Sequence, residues 1–145
     1  MTKILFICHG NICRSPMAEF VMKDLVRKAG KEHLFIIDSA AVSREEIGNG
    51  IHYGTRNILH RYHIPYTEHY ARQITPKDGE EFDLILCMDA SNIRYAKRIL
   101  PDKYHGKIKT LMNRNIADPW YTGNFEETYR DVLEGCQHLL NELES

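Results

Sequence analysis

The stretch "KILFICHGNICRSPMAEFVM", residues 3–22, decides the fold. It opens on "KILFIC" (3–8), a short apolar run suited to a strand buried on both faces of a parallel sheet. "HGN" breaks that run, and a helix is expected near Ser15 and Pro16, serine as the N-terminal cap and proline in the first turn. Met17, Phe20, Val21 and Leu25 recur at helical spacing, and Gly30 closes the segment. A strand that turns tightly into a helix N-terminus points successive backbone N–H groups inward and makes an anion nest. The helix end adds positive potential at the same place.

Cys8 and Cys13 sit in that turn, and three readings compete for them: a metal knuckle, a redox pair, or one reactive sulfur in a phosphate cradle. Zinc takes about four ligands, as two close pairs, and neither Cys87 nor Cys136 belongs to a second pair. Dithiol oxidoreductases space their cysteines C-x-x-C, and this pair is wider. Simple core packing of both cysteines is the plainest alternative. Against it stands the order Cys8, Gly10, Asn11, Arg14, Ser15, Pro16 between a strand and a helix. The field of the nest stabilises a thiolate at Cys8. Arg14 supplies a planar fork able to hold two phosphoryl oxygens, Ser15 a hydroxyl able to donate to the sulfur. Gly10 and Asn11 suit the positive-φ positions of a loop folded around an oxyanion. One activated sulfur beneath a phosphoryl site is the reading these residues favour.

Outward from this segment, strands and helices alternate. "LFIID" (34–38) reads as a second strand and "SREEIGNGIHYG" (43–54) as a loop. A helix follows from Gly54 to about Tyr62, with Pro65 barring its continuation. "FDLILCM" (82–88) is the clearest buried strand, Asp89 caps a helix running to about Leu100, and "KIKTLM" (107–112) is a short edge strand. "NRNIADPWYTGN" (113–124) reads as a loop before a final amphipathic helix, residues 125–143. The expected fold is α/β: one domain over residues 1–145, a three-layer sandwich of four parallel strands flanked by helices with right-handed crossovers, and a phosphate-binding loop after the first strand.

The composition sets the function classes aside that need a charged or membrane-seeking surface. With 19 basic against 20 acidic residues, and no basic run, no nucleic-acid or polybasic membrane partner is indicated. No apolar run approaches the roughly 18 residues of a membrane span, and the N-terminus does not read as a signal peptide. Four cysteines in a chain of this size do not make a disulfide scaffold, so the cytoplasm is the expected compartment. His52, His60 and His63 fall at helical spacing, but no carboxylate or cysteine completes a metal set, and solvated surface histidines are the commoner case.

"CHGNICRSPMAEF" resembles the signature of the low-molecular-weight protein tyrosine phosphatases. The similarity continues through "DSAAVS" (38–43), "HYARQIT" (69–75), "EFDLILCMDASNIR" (81–94) and "ADPWY" (117–121), in order along nearly the whole chain. It implies a phosphatase acting on phosphotyrosine proteins and small aryl phosphates through a cysteinyl-phosphate, with inorganic phosphate as product and no metal or organic cofactor. Cys8 is then the nucleophile and Arg14 the transition-state cation. His9, Gly10, Asn11, Ile12, Cys13 and Ser15 form the binding loop. By chemistry alone an Asp-Pro in a loop marks a turn; the resemblance makes Asp118 the expected general acid. Trp120 and Tyr121 either wall the cleft and stack on a substrate ring or merely cover an apolar patch. The resemblance also implies that Ser39, bonded to Asn11, and His69 support the loop, in a protein that acts as a monomer or at most a weak dimer.

Departures from the family pattern are informative. An aromatic common within "SREEIG" is replaced by Arg44, Glu45 and Glu46, so one rim of the cleft is expected to be charged and sensitive to charges flanking the substrate. His9 replaces a common apolar residue after the nucleophile; it is placed either to influence the sulfur or to pack on the neighbouring loop. Ile12 favours phosphotyrosine over phosphoarginine, because relatives directed at phosphoarginine favour threonine there. Cys13 suggests redox protection of Cys8 by a disulfide. Arsenate reduction is the enzymatic alternative, but the downstream cysteine relay it needs looks absent. A catalytically idle phosphopeptide-binding module is the non-enzymatic one, and it needs neither a thiolate nor Asp118.

Overall fold

The structure, a computed structural model, describes residues 1–144. Strand β1, Thr2–Cys8, leads through the cysteine loop into helix α1, Arg14–Lys28. A single 3-10 turn precedes strand β2, Phe35–Ala41, which is followed by helices α2, Tyr53–Arg61, and α3, Pro76–Glu81. Strand β3, Leu84–Cys87, helix α4, Ala90–Ile99, and strand β4, Ile108–Thr110, come next; helices α5, Pro119–Thr122, and α6, Phe125–Glu144, end the chain. The sheet runs β2-β1-β3-β4, with every neighbouring pair parallel.

β1 is central because both of its faces are apolar. Ile4, Phe6 and Cys8 point into a cluster with Met17, Met22, Leu59, Val132 and Cys136, covered by α1, α2 and α6. Leu5 and Ile7 point the other way, into Ile74, Phe82, Ile85, Ala96 and Leu100, beneath α4 and the segments flanking α3. Side chains alternate along a strand, so only a strand apolar at every position can serve two cores. The expected three-layer sandwich of four parallel strands is what forms. Among the described residues no helix is long and apolar enough to cross a membrane.

Four local readings change. α1 begins at Arg14, two residues early, with Cys13 at its cap position and no side-chain cap; Ser15 is turned instead toward the Cys8 sulfur. β2 extends to Ala41 because Asp38 and Ser39, polar in sequence, lie in register with Leu5 and Phe6. α3 was not expected; its signal is "TPKD", in which the Thr75 and Asp78 side chains cap reciprocally and Pro76 opens the first turn. The loop before the last helix contains α5, capped by Asp118, whose carboxylate accepts from Trp120 N.

Backbone bonds at the C-terminal end of β1 gather the remaining loops. Val42 N donates to Cys8 O (3.1 Å) and Ser43 N to His9 O (3.1 Å), which lays the 43–49 turn beside the cysteine loop. Ala41 exchanges bonds with Arg72 O (2.7 Å) and Ile74 N (2.8 Å), bringing in the 69–74 segment. Ile116 N reaches Met88 O (2.8 Å), seating the approach to Asp118.

α2 meets α6 at Gly54, where an added Cβ would lie 2.4 Å from the Phe125 ring. Glycine-to-alanine changes in a helix ordinarily gain up to about 1 kcal/mol. Here Gly54→Ala is expected to lower stability by about 1–3 kcal/mol through overpacking, read as a reduced urea midpoint.

Candidate active site

The loop from Cys8 to Ser15 turns on Asn11, whose φ of 61° places it in the left-handed region. Glycine adopts that conformation more easily, yet asparagine is there because its side chain is fully used. Its amide donates to Ser15 Oγ (2.8 Å) and Ser39 Oγ (3.0 Å), and its Oδ1 accepts from Arg72 N (3.2 Å). Its backbone carbonyl is met by His69 Nε2 at 2.9 Å. Asn11 and Ser39 are buried. Ser39 passes its own hydrogen to Glu19 Oε1 (2.6 Å), and Lys23 Nζ holds the other oxygen of that carboxylate at 2.6 Å.

This chain of donors orients the hydroxyl beside the Cys8 sulfur. The Asn11 amide occupies a lone pair of Ser15 Oγ, so the Ser15 hydrogen is free to go to Cys8 Sγ, 3.0 Å away. Asn11 N donates to the same sulfur at 3.3 Å. Two donors thus converge on the sulfur. Gly10, expected at a positive φ, is not among the positive-φ residues. Close packing is what marks the position instead: a Cβ there would lie 3.2 Å from Glu46 Cγ, and that side chain would have to shift.

Arg14 is nearly inaccessible, its side chain 3% exposed. Nη1 donates to Asp89 Oδ2 (2.7 Å) and Ile116 O (2.8 Å), and Nη2 to Asp118 Oδ2 (3.3 Å). Burial works against its charge, but Cys8, Asp89 and Asp118 outweigh burial and hold the guanidinium above its ordinary value. Asp118 is thereby held twice, by Arg14 and by the Trp120 N–H (3.0 Å) at the start of α5. Ile12, Trp120, Tyr121, Glu45 and Glu46 wall a slot of about 100 Å3 with Cys8, Arg14 and Asp118 at its base. Trp120 and Tyr121 are exposed at the mouth rather than covering an apolar patch. Trp120 stands edge-on to His52, ring centroids 5.6 Å apart.

The residues expected at the site are brought to it apart from Arg44, though not always in the expected part. Glu45 and Glu46 form the charged rim, whereas Arg44 turns away to Gln73 Oε1 (3.1 Å). His9 does not touch the sulfur; its Nε2 meets Glu45 Oε2 at 3.0 Å. Ser39 and His69 lie behind the loop. Cys13 is buried, and burial first, then Cys8 and Asp118, push its thiol well above the ordinary value. All four cysteines are free, and burial, then Asp89 and Cys8, push Cys87 up to about 12. The three histidines of the α2 region do not converge: His52 caps α2, accepting from Gly54 N, His60 meets Tyr66 Oη, and His63 lies beyond the helix. Burial and then Arg56 lower the His52 value, in keeping with a neutral, accepting ring.

Sequence reading missed three groups. Asp89 was read only as a helix cap, and it does accept from Asn92 N (2.8 Å), but its other oxygen anchors Arg14. Glu19 lies one turn beyond Ser15 on the apolar face of α1; an acid in that stripe was the available signal. Arg72, tied to Asp78 (3.0 and 3.1 Å) and Asp38 (3.3 Å), presents its backbone N–H to Asn11, and no local pattern announces that.

The sequence profile of the family described as low molecular weight phosphotyrosine protein phosphatase matches residues 3–145. YfkJ of Bacillus subtilis, named a low molecular weight protein-tyrosine-phosphatase, is 42% identical over 147 residues, 97% of this chain and 94% of its own. The human low molecular weight phosphotyrosine protein phosphatase is 40% identical over 147 residues, 94% of this chain and 92% of its own. The crystal structure of SP-PTP, the low molecular weight protein tyrosine phosphatase from Streptococcus pyogenes, matches with a TM-score of 0.91. Its sequence is 44% identical, and the match covers 100% of this chain and 95% of that one. This chain belongs to the low molecular weight phosphotyrosine protein phosphatase family.

Asp89→Asn keeps a cap for α4, since asparagine accepts as well as aspartate there, but removes the anion beside a buried guanidinium. A loss of about 1–3 kcal/mol is expected. Thermal unfolding is expected to show millimolar phosphate raising the midpoint more in this variant than in the parent, the added anion replacing the lost one.

Proposed function

We propose that this protein is a protein-tyrosine-phosphatase that hydrolyses phosphotyrosine and aryl phosphate monoesters. The observation that carries the reading is the convergence of Asn11 N and Ser15 Oγ on Cys8 Sγ beneath a slot closed by Arg14 and Asp118. The ring of the substrate enters between Ile12 and the Trp120–Tyr121 wall, and its phosphoryl group reaches the nest. Arg14, already aimed by Asp89 and the Ile116 carbonyl, holds two equatorial oxygens while the loop amides hold the rest.

The Cys8 thiolate attacks phosphorus in line with the ester oxygen. The S–P bond forms as the P–O bond breaks, and Asp118, in its acid form, gives its proton to the leaving phenolate oxygen. In the second half the Asp118 carboxylate takes a proton from water as the water oxygen attacks phosphorus. The S–P bond breaks, inorganic phosphate leaves, and the thiolate returns to the hydrogen bonds of Asn11 and Ser15. Those bonds stabilise the sulfur anion both before attack and as leaving group. The charges of this cycle are met by side chains of the chain itself.

Ile12 supports the aryl preference: an apolar wall next to the nucleophile suits a ring and offers nothing to the guanidinium of phosphoarginine. Arsenate reduction is disfavoured because Cys87 and Cys136, the cysteines downstream of the loop, are fully buried in β3 and α6. The slot is assembled from one chain, so a monomer suffices. A free nucleophilic thiol suits a reducing compartment, and the cytoplasm is the proposed location.

Purified protein offered phosphotyrosine, phosphoarginine, and arsenate with thioredoxin decides among these. Phosphotyrosine is expected to be turned over, with none by Cys8→Ser. Asp118→Ala is expected to lower kcat by about 10²–10⁴, least for aryl esters with acidic leaving groups. Arsenate turnover without ester hydrolysis overturns the proposal.

A further inference from the structure

Beside the slot runs a second and larger depression of about 390 Å3, bordered by His9, Asp89, Ser91, Tyr95, Asp118 and Tyr121. His9, Arg14, Asp118 and Tyr121 border both spaces, so the two are continuous and His9 stands at their junction. Glu45 of the opposite loop holds the His9 ring there at 3.0 Å. A chain whose phosphorylated ring fills the slot can pass its neighbouring residue over this junction.

We infer that this groove is a second subsite, taking a basic residue that flanks the phosphotyrosine; the inference rests on the reading of the slot as a phosphotyrosine site. Charge decides the preference. Glu45 and Glu46 border the slot, Asp89 the groove and Asp118 both, against Arg14 and His9, which also border both. The side chain of Glu45 is 69% exposed, while that of Arg14 is 3% exposed and faces the phosphoryl group. Once the phosphoryl dianion is seated, Arg14 is spoken for and the surroundings are net acidic even with Asp118 in its acid form. A lysine or arginine beside the phosphotyrosine meets attraction there and a glutamate meets repulsion.

The aromatic surface points the same way. Tyr95 and Tyr121 are 43% and 82% exposed and offer ring faces to a cation. Arg98 already lies 5.3 Å over the Tyr95 ring, so that ring accepts a guanidinium.

The test is a peptide series carrying phosphotyrosine with lysine, alanine or glutamate immediately before or after it, and a simple aryl phosphate as reference. The lysine peptide is expected to exceed the glutamate peptide in kcat/KM by about three- to tenfold at low salt, mainly through KM. The gap is expected to close at about 1 M salt, where the screening length is about 3 Å. Tyr95→Arg, at an exposed position, is expected to abolish the preference while aryl phosphate turnover stays within about twofold. Equal kcat/KM for all peptides, a glutamate preference, or an undiminished lysine preference in Tyr95→Arg overturns the subsite. Failure to hydrolyse even the aryl phosphate removes the phosphotyrosine reading itself, a separately visible result.

Discussion

Asn11 in the left-handed conformation is the constraint on which the site depends. The loop must fold back tightly enough for its amide to reach the Cys8 sulfur, and a non-glycine residue tolerates that backbone only when its surroundings over-determine it. Four hydrogen bonds do so here, drawn from Ser15, Ser39, His69 and Arg72. They come from α1, β2 and the 69–74 segment, so the curvature of a short loop is set by most of the fold. Glu19 ends the chain of donors, and its burial beside Ser39 and His69 is what makes the polar network complete. Among the described residues no buried side-chain N or O atom lacks a partner.

The second organising feature is the division of labour between two aspartates on one guanidinium. Asp89 sits at the end of β3, fixed by the α4 cap, and aims Arg14 from a rigid element. Asp118 sits on the α5 turn at a longer distance, 3.3 Å, and is the one left beside the slot. The geometry separates a carboxylate that orients Arg14 from one that borders the slot. Their difference is in the elements that carry them, not in residue type.

The fold was legible where local signals agreed. A strand apolar at every position, a turn with glycine and asparagine, and a proline-led helix admitted one arrangement, and the clear apolar runs at 34–38 and 82–88 supplied its neighbours. The misreadings have a common cause. β2 looked shorter because Asp38 and Ser39 are polar, yet they are satisfied by Arg72 and by the Asn11 network, partners 34 and 28 residues distant. Ser15 looked like a helix cap because serine usually is one; the Cys8 sulfur and the Asn11 amide compete for its hydroxyl and win. α3 and α5 are too short for periodicity, and only their capping residues reveal them.

By itself the sequence determined the class of sheet and set Cys8 in a tight turn between a strand and a helix start, because strand pattern, turn chemistry and helix start are properties of neighbouring residues. It also carried a resemblance that named the acid. Only the tertiary structure decided that Asp89 orients Arg14, that Glu19 and Arg72 belong to the loop's support, and that His9 pairs with Glu45 at the mouth. Those contacts join residues 36 to 75 positions apart, apart from the local Glu19 link through Ser39, which spans 20. Their formation depends on parallel strands delivering their C-terminal ends to one edge of the sheet, a geometry that no local stretch of sequence encodes.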